Sequence, residues 1–356
     1  MELSIRSKII RSVSFALILA IIFLILQQLF APKYMDGVYE GKMVKEYYDE
    51  TLNHDVIFIG DCEVYENFSP IALWEEYGIA SYIRGGPQQL IWQSYYILEE
   101  TLEKEKPAIA VFNVLAMQYP TPQKEPYNRL NLEGMNWSAQ KLNSIAQSMT
   151  EGETLLSYVF PLLRYHDRWM ELSAGDIKHF LNQDDVSFNG YLMRSDVKPV
   201  GMIPEGRKLP DYRFGENSYR YLDKILSLCK SEGVELILIK APSIYPYWHP
   251  QWEEQMEEYA RANDVKYINF LELSDETGID LATDTYDAGL HLNVYGAEKA
   301  ARYLGKILVQ EYGLASRKED PEYLEAWTEK CEEYYSHKAV QEREFQDDGK
   351  IKTMRR

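Results

Sequence analysis

Five short apolar runs, separated by stretches whose apolar residues recur at helical spacing, constrain this chain more than any other feature. "DVIFIG" (55–60), "ASYIRGG" (80–86), "AIAVFNV" (108–114), "VELILIKAPS" (234–243) and "KYINFLEL" (266–273) each read as a strand. The intervening "PIALWEEYG" (70–78), "LIWQSYYILEETLEKEK" (90–106), "SYRYLDKILSLCKSEG" (218–233) and "WEEQMEEYARAND" (252–264) read as helices, as does "YGAEKAARYLGKILVQEYG" (295–313). Strands that are apolar on both faces need cover on both faces. Alternation with helices supplies it in a parallel sheet with right-handed crossovers. The expected fold is therefore α/β, a three-layer α/β/α arrangement around a five-stranded, mostly parallel sheet.

A second feature concerns location. From Ser12 to Ala31, "SVSFALILAIIFLILQQLFA" carries no charged side chain. At about 1.5 Å per residue, twenty helical residues cross a hydrocarbon core of roughly 30 Å. Arg6, Lys8 and Arg11 precede the run, so the N-terminus is expected to stay cytoplasmic, with the rest outside the plasma membrane. A cleaved signal peptide is the competing reading. Its apolar region is shorter and ends in small residues, whereas here no A-x-A site follows and Pro32 sits where cleavage would fall. An uncleaved single-pass anchor over 12–31 is expected, after a cytoplasmic segment 1–11 and before a tether over 32–53.

The α/β rhythm occupies 54–316 but is interrupted. Residues 115–217 contain helical patterns such as "LLSYVFPLLRYHDRWMEL" and read as a helical cap on the sheet. The segment 317–356 is charged and reads as a solvated helical tail. The formal charge of −18 speaks against a nucleic-acid partner, because phosphates would be repelled. Three scattered cysteines form no disulfide framework and no zinc spacing. No metal or organic cofactor is implied.

Ligands of open parallel sheets sit beyond the carboxyl ends of the strands. Asp61, Cys62 and Glu63 follow the first strand, Gly85 and Gly86 the second, and Asn113 ends the third. Lys240 and Ser243 end the fourth, and "DTYDAGLHLNVYGAEK" (284–299) brings His291 to the start of the last helix. A nucleophile, an imidazole and several amides are thus directed to one edge. Each residue also has a plainer role: Cys62 as buried packing, the glycines as turn formers, Asn113 as a loop residue, and His291 as a helix-entry residue with Asn293 as N-cap.

"FIGDC" resembles the first block of the SGNH/GDSL hydrolase family, with Cys62 where that family has serine. "RGG" is similar to its second block, Asn113 to the asparagine of its third, and "DAGLHLNVYGAEK" to its fourth. The resemblance covers roughly 54–114 and 218–312, in the family's order. It implies a flavodoxin-like SGNH fold, with Cys62 as nucleophile and His291 as base. It also implies Asp287, or else Asp284, as the acid, and oxyanion donors at Gly85, Gly86 and Asn113. Two departures stand out. Sulfur replaces oxygen, and Ala288 occupies the position three before His291 where the family has its acid. Single-span members of the superfamily serve acyl transfer in the cell envelope. The resemblance and the anchor together imply an extracytoplasmic ester hydrolase or O-acyltransferase acting on an envelope glycan or polymer. The alternative is a non-catalytic accessory to a membrane-bound O-acyltransferase. Within the cap, Arg164, His166 and Arg168 form a candidate anion-binding patch for substrate, with internal salt bridges as the competing role.

Overall fold

In the computed structural model, residues 5–31, 43–181, 185–203 and 205–354 are described. The strands are β1 (Val56–Gly60), β2 (Ser81–Gly85), β3 (Ile109–Asn113), β4 (Glu235–Lys240) and β5 (Lys266–Asn269), in the order β2-β1-β3-β4-β5. All four pairings are parallel. Every residue of β1, β2 and β3 is buried, as the unbroken apolar runs require of strands covered on both faces. The expected α/β sheet is therefore present. Its fifth strand is shorter than the apolar run over 266–273, because Phe270–Glu272 turns into a 3-10 helix capped by the Asn269 side chain.

The covering helices follow the sequence pattern closely. Ser69 caps Pro70–Tyr77, with its Oγ accepting from the Ala72 amide, and Gly78 closes that helix at φ 68°. Ile91–Lys104, Glu216–Glu232, Pro250–Asn263 and Val294–Tyr312 complete the set. Asn293 caps the last through Tyr295 and Gly296 amides. Side chains at one end of the sheet are thus fixed by strand ends on one side and capped helix starts on the other.

The described residues within Met1–Val38 and Glu151–Asp184 form one compact unit, and those within Tyr39–Thr150 and Asp185–Arg356 form another. The insertion over 115–217, read from sequence as one cap, is thus divided. Helices Glu125–Glu133 and Ala139–Ser148 belong to the α/β unit, where Ser148 Oγ accepts a 2.9 Å bond from Trp92 Nε1. Short helices between Leu155 and Leu181 belong with the N-terminal helix Ile5–Phe30.

Two expectations at the ends of the α/β unit change. Of the tether over 32–53, residues 32–42 lie outside the described set, but Met43, Val44 and Tyr47 are buried, and Tyr47 donates to Glu105 at 2.7 Å. The tail is not solvated on every face. Helix Pro321–Asp348 buries Tyr323, Trp327, Tyr334 and Gln341. Trp327 stacks on Trp74 at 5.0 Å, and Tyr334 donates to Glu298 at 3.1 Å. Its charged residues occupy most of the surface, and a narrow aromatic stripe does the docking.

Candidate active site

In a sheet ordered this way the helix between β1 and β2 and the helix between β2 and β3 cover opposite faces, leaving a crevice beyond the ends of β1 and β3. Cys62 stands there as the first residue of a single helical turn, Cys62–Tyr65. Asp61 caps that turn, its carboxylate accepting from the Glu63 amide. The Cys62 N–H lies in the first turn, where amides lack intrahelical acceptors. Gly60 must be small, because a Cβ there would meet Val64 at 2.4 Å.

His291 arrives on the loop before Val294–Tyr312. Its Nδ1 lies 2.7 Å from Asp287 Oδ2, and its backbone N–H donates to Asp287 Oδ1 at 2.8 Å. The backbone brings this carboxylate to the imidazole from four residues upstream. Ala288 (φ 68°) and Gly289 (φ 98°) both take left-handed conformations, folding the carboxylate back over the imidazole. For Ala288 that conformation costs about 1–2 kcal/mol, offset by hydrogen bonds that hold the loop. The Ala288 amide donates to Lys198 O and the Gly289 amide to Thr285 Oγ1. Asp284 is elsewhere engaged: it accepts from Lys299 Nζ at 2.6 Å and from the Asp280 amide at 2.8 Å.

His291 Nε2 is buried and has no hydrogen-bond partner among the described residues. Cys62 and His291 are close enough for each to alter the other's titration, although no standard hydrogen bond joins them. Burial pushes the Cys62 thiol up to about 11; the His291 charge opposes this, and Asp61 adds to it. Burial alone would depress His291, but the charges of Glu66 and Cys62 and the Asp287 hydrogen bond raise it well above its ordinary value. Both members of the pair are thus biased towards their protonated forms. The imidazole becomes a base only when that extra proton leaves.

Glu66 was not anticipated. Its Oε2 lies 3.6 Å from His291 Nδ1 and accepts from the Tyr286 hydroxyl. It follows Cys62 by four residues, the helical spacing that places two side chains on one face. Tyr119 is half-buried. Burial and the charges of Asp61, Cys62 and Glu63 raise its phenol to about 12. Asn67 ties two site loops together, donating to Ser243 Oγ and accepting from the Leu292 amide, both at 2.7 Å. Ser243 is thereby a fully buried bracing residue.

Beneath the cysteine lies a buried ionic network. Lys240 Nζ donates to both Glu63 oxygens at 3.0 and 2.9 Å, and to the carbonyls of Ala241 and Ser243. Asn113 Nδ2 donates to Asp61 and Glu63, each at 3.1 Å. Both amide hydrogens of Asn113 are thus turned to carboxylates, and neither is available to an oxyanion in this arrangement. Burial pushes Glu63 up to about 7, against the pull of Lys240. Gly85 ends β2 opposite Gly60, where a Cβ would meet Gly60 O and the Tyr65 ring at 3.1 Å. The Gly86 amide donates to Gly60 O at 3.3 Å.

Arg164, His166 and Arg168 lie in the compact unit of the N-terminal helix, not in the unit that holds Cys62. Arg168 binds Phe30 O at 2.6 Å and Asp176 at 3.0 Å, which is an internal bracing role. No group of three or more metal-binding side chains occurs among the described residues.

No family model matches the chain, and no curated protein matches it. Several solved structures align with it, three of them as follows. One is provisionally described as a lipolytic protein of the G-D-S-L family from Desulfitobacterium hafniense. At 13% identity and a TM-score of 0.38, the match covers 72% of this chain and 100% of that one. Another, provisionally described as an acylhydrolase, comes from Bacteroides fragilis (12%, TM-score 0.37, 75% and 94% covered). The third is a GDSL-like lipase from Bacteroides thetaiotaomicron (12%, TM-score 0.37, 77% and 100% covered). These likenesses are loose and concern the fold alone.

Proposed function

We propose that this protein transfers or hydrolyses ester-linked acyl groups through Cys62, on the outer side of the membrane to which its N-terminal helix anchors it. The observation that carries this reading is the imidazole of His291. One nitrogen is held by Asp287, and the other is buried near the thiol with no hydrogen-bond partner among the described residues. That is the arrangement of a nucleophile, a base and an orienting acid.

The chemistry begins with His291 neutral. The Cys62 sulfur attacks the ester carbonyl while its proton passes to His291 Nε2. The oxyanion is met by the Cys62 N–H and by Gly85. Collapse breaks the ester C–O bond, and His291 returns the proton to the departing alcohol, leaving an acyl thioester on Cys62. Water, or a hydroxyl of an envelope glycan or polymer, then gives its proton to His291 and attacks the thioester. The product is a free acid or a new ester, and the thiol is restored. Asp287 holds the imidazole in one orientation throughout.

A second reading has its own support. The engaged Asn113 amide, the engaged Gly86 amide and the high thiol pKa favour a protein that binds acyl groups without turning them over, assisting a membrane-bound O-acyltransferase. An acyl-trapping experiment separates the two. The full-length protein in detergent is mixed with p-nitrophenyl acetate at pH 9 and analysed by intact mass. An acetyl adduct at Cys62 that forms and decays, and that is absent in Cys62→Ala, supports catalysis. No adduct and no nitrophenol release above Cys62→Ala refutes it.

A further inference from the structure

Residues 151–181 were read from sequence as part of a cap, yet they sit with the N-terminal helix and leave much of their apolar surface uncovered. Leu156, Leu163, Trp169, Met170, Ile177 and Leu181 are between 53% and 75% exposed. Among the described residues of this part only Ser157, Tyr158 and Asp176 are buried, so most of its large apolar side chains lie uncovered, beside exposed charged groups such as His166, Asp167 and Glu171. Large apolar side chains exposed together in this number mark a surface that something covers.

The segment also keeps register with the helix that is apolar enough to span a membrane. The Phe160 ring is 6.0 Å from that of Phe23. The Leu162 amide donates to Gln27 Oε1 at 2.7 Å, and Arg168 donates to Phe30 O at 2.6 Å. From Phe23 to Phe30 is about 10 Å along the axis. The segment therefore climbs from the hydrocarbon level to the helix end, with Arg168 and Trp169 at the level where such side chains meet lipid headgroups. Its backbone is largely helical, in short pieces between Leu155 and Leu181, as partial immersion requires.

We propose that residues 155–181 lie in the outer leaflet beside the N-terminal helix, so that the protein is held by a span and an interfacial lipid-binding element together. The occupant of the apolar surface is the bilayer. Continuity with the spanning helix argues for this, since lipid that surrounds the helix also surrounds whatever is packed on its outer half. The inference rests on the anchor reading and is independent of catalysis at Cys62.

The test uses the full-length protein in vesicles of phosphatidylcholine and phosphatidylglycerol. The vesicles are doped with phosphatidylcholine bearing a diazirine either deep in the acyl chain or near the headgroup. After irradiation, adducts are mapped by peptide mass spectrometry, with hydrogen–deuterium exchange run in parallel. Expected are adducts in both 12–30 and 155–181, at least about tenfold above any peptide of the α/β unit. Peptides around Phe160 should favour the deep probe and those around Trp169 the shallow one. In Leu156→Glu/Leu163→Glu, adducts in 155–165 should fall at least fivefold while those in the helix persist. Adducts confined to the helix overturn the proposal and leave the anchor standing. Adducts in neither segment overturn the anchor and the proposal with it. A segment protected from exchange but unlabelled means that protein covers it, which also overturns the proposal. The wild-type depth order stands as a test even if the double variant misfolds.

Discussion

If the Cys62 thiol sits where burial and carboxylates place it, its alkylation rate is predictable. With its pKa raised from 9.0 to about 11, the thiolate fraction at pH 7 falls about hundredfold. A more basic thiolate is intrinsically more nucleophilic. With a Brønsted coefficient of about 0.4–0.5, two pK units return a factor of about 6–10. The net expectation is that iodoacetamide labels Cys62 about tenfold more slowly than an ordinary thiol at pH 7, with a rate still climbing past pH 10. Replacing His291 by glutamine keeps much of the volume and removes the charge that favours the thiolate. The midpoint should then move further up by about one unit or more, equivalent to about 1.4 kcal/mol or more of lost interaction. Cys331, raised to about 11 by burial and Glu75 with no imidazole among the causes, is an internal control that should not respond. The assay is full-length protein in detergent, quenched across pH 6–11, with each cysteine quantified by peptide mass spectrometry. A wild-type midpoint at or below 9, or a Cys62 midpoint that stays put or falls in His291→Gln, refutes the electrostatic account of this site.

Other predictions concern the same groups. His291 is raised in the folded state, so the stability it contributes is complete below its unfolded value of about 6.5 and is lost as pH rises through its folded pKa. Turnover requires the neutral imidazole, so urea midpoints should fall with alkaline pH while ester turnover rises; a rate that peaks below pH 7 contradicts this. Asp287→Asn should lower turnover by about 10²-fold or more. Asp284→Asn, which disturbs the Lys299 pair instead, should reduce stability by about 1–3 kcal/mol with turnover per folded molecule unchanged; equal kinetic losses in both would reverse the assignment of the acid. Lys240→Met should destabilise the protein by about 3–5 kcal/mol in urea titration by leaving Glu63 buried without its cation. Lys240→Met/Glu63→Gln should recover much of that loss, and failure to recover it would show that the pair is not the reason for the loss.

Local sequence determined the layers. Unbroken apolar runs such as "VIFIG" specify buried strands because both faces must be covered, and Ser69, Gly78 and Asn293 mark helix ends through caps that need only neighbouring residues. Chain order also brought Cys62 and the His291 loop to one edge, since residues after parallel strands share that edge whatever the intervening length. The carboxylate that meets His291 was legible in part. Asp287 and Asp284 were both in reach, and the left-handed turn at Ala288 and Gly289 brings Asp287 to the imidazole while Asp284 pairs with Lys299.

Other features required the tertiary structure because they depend on partners distant in sequence. The Asn113 amide is turned to Asp61 and Glu63, more than fifty residues upstream for one and fifty for the other, so its donors were not countable from its own neighbourhood. Glu66 acts on His291 across the fold. The C-terminal helix looked solvated because charge dominates its composition, while its docking depends on a few aromatics meeting Trp74 and Glu298. The segment around Arg168 looked like a cap because short amphipathic helices do not state what they pack against. Charge-free length alone was enough to propose a span; which other residues pack on that helix was decided by contacts at Phe23, Gln27 and Phe30.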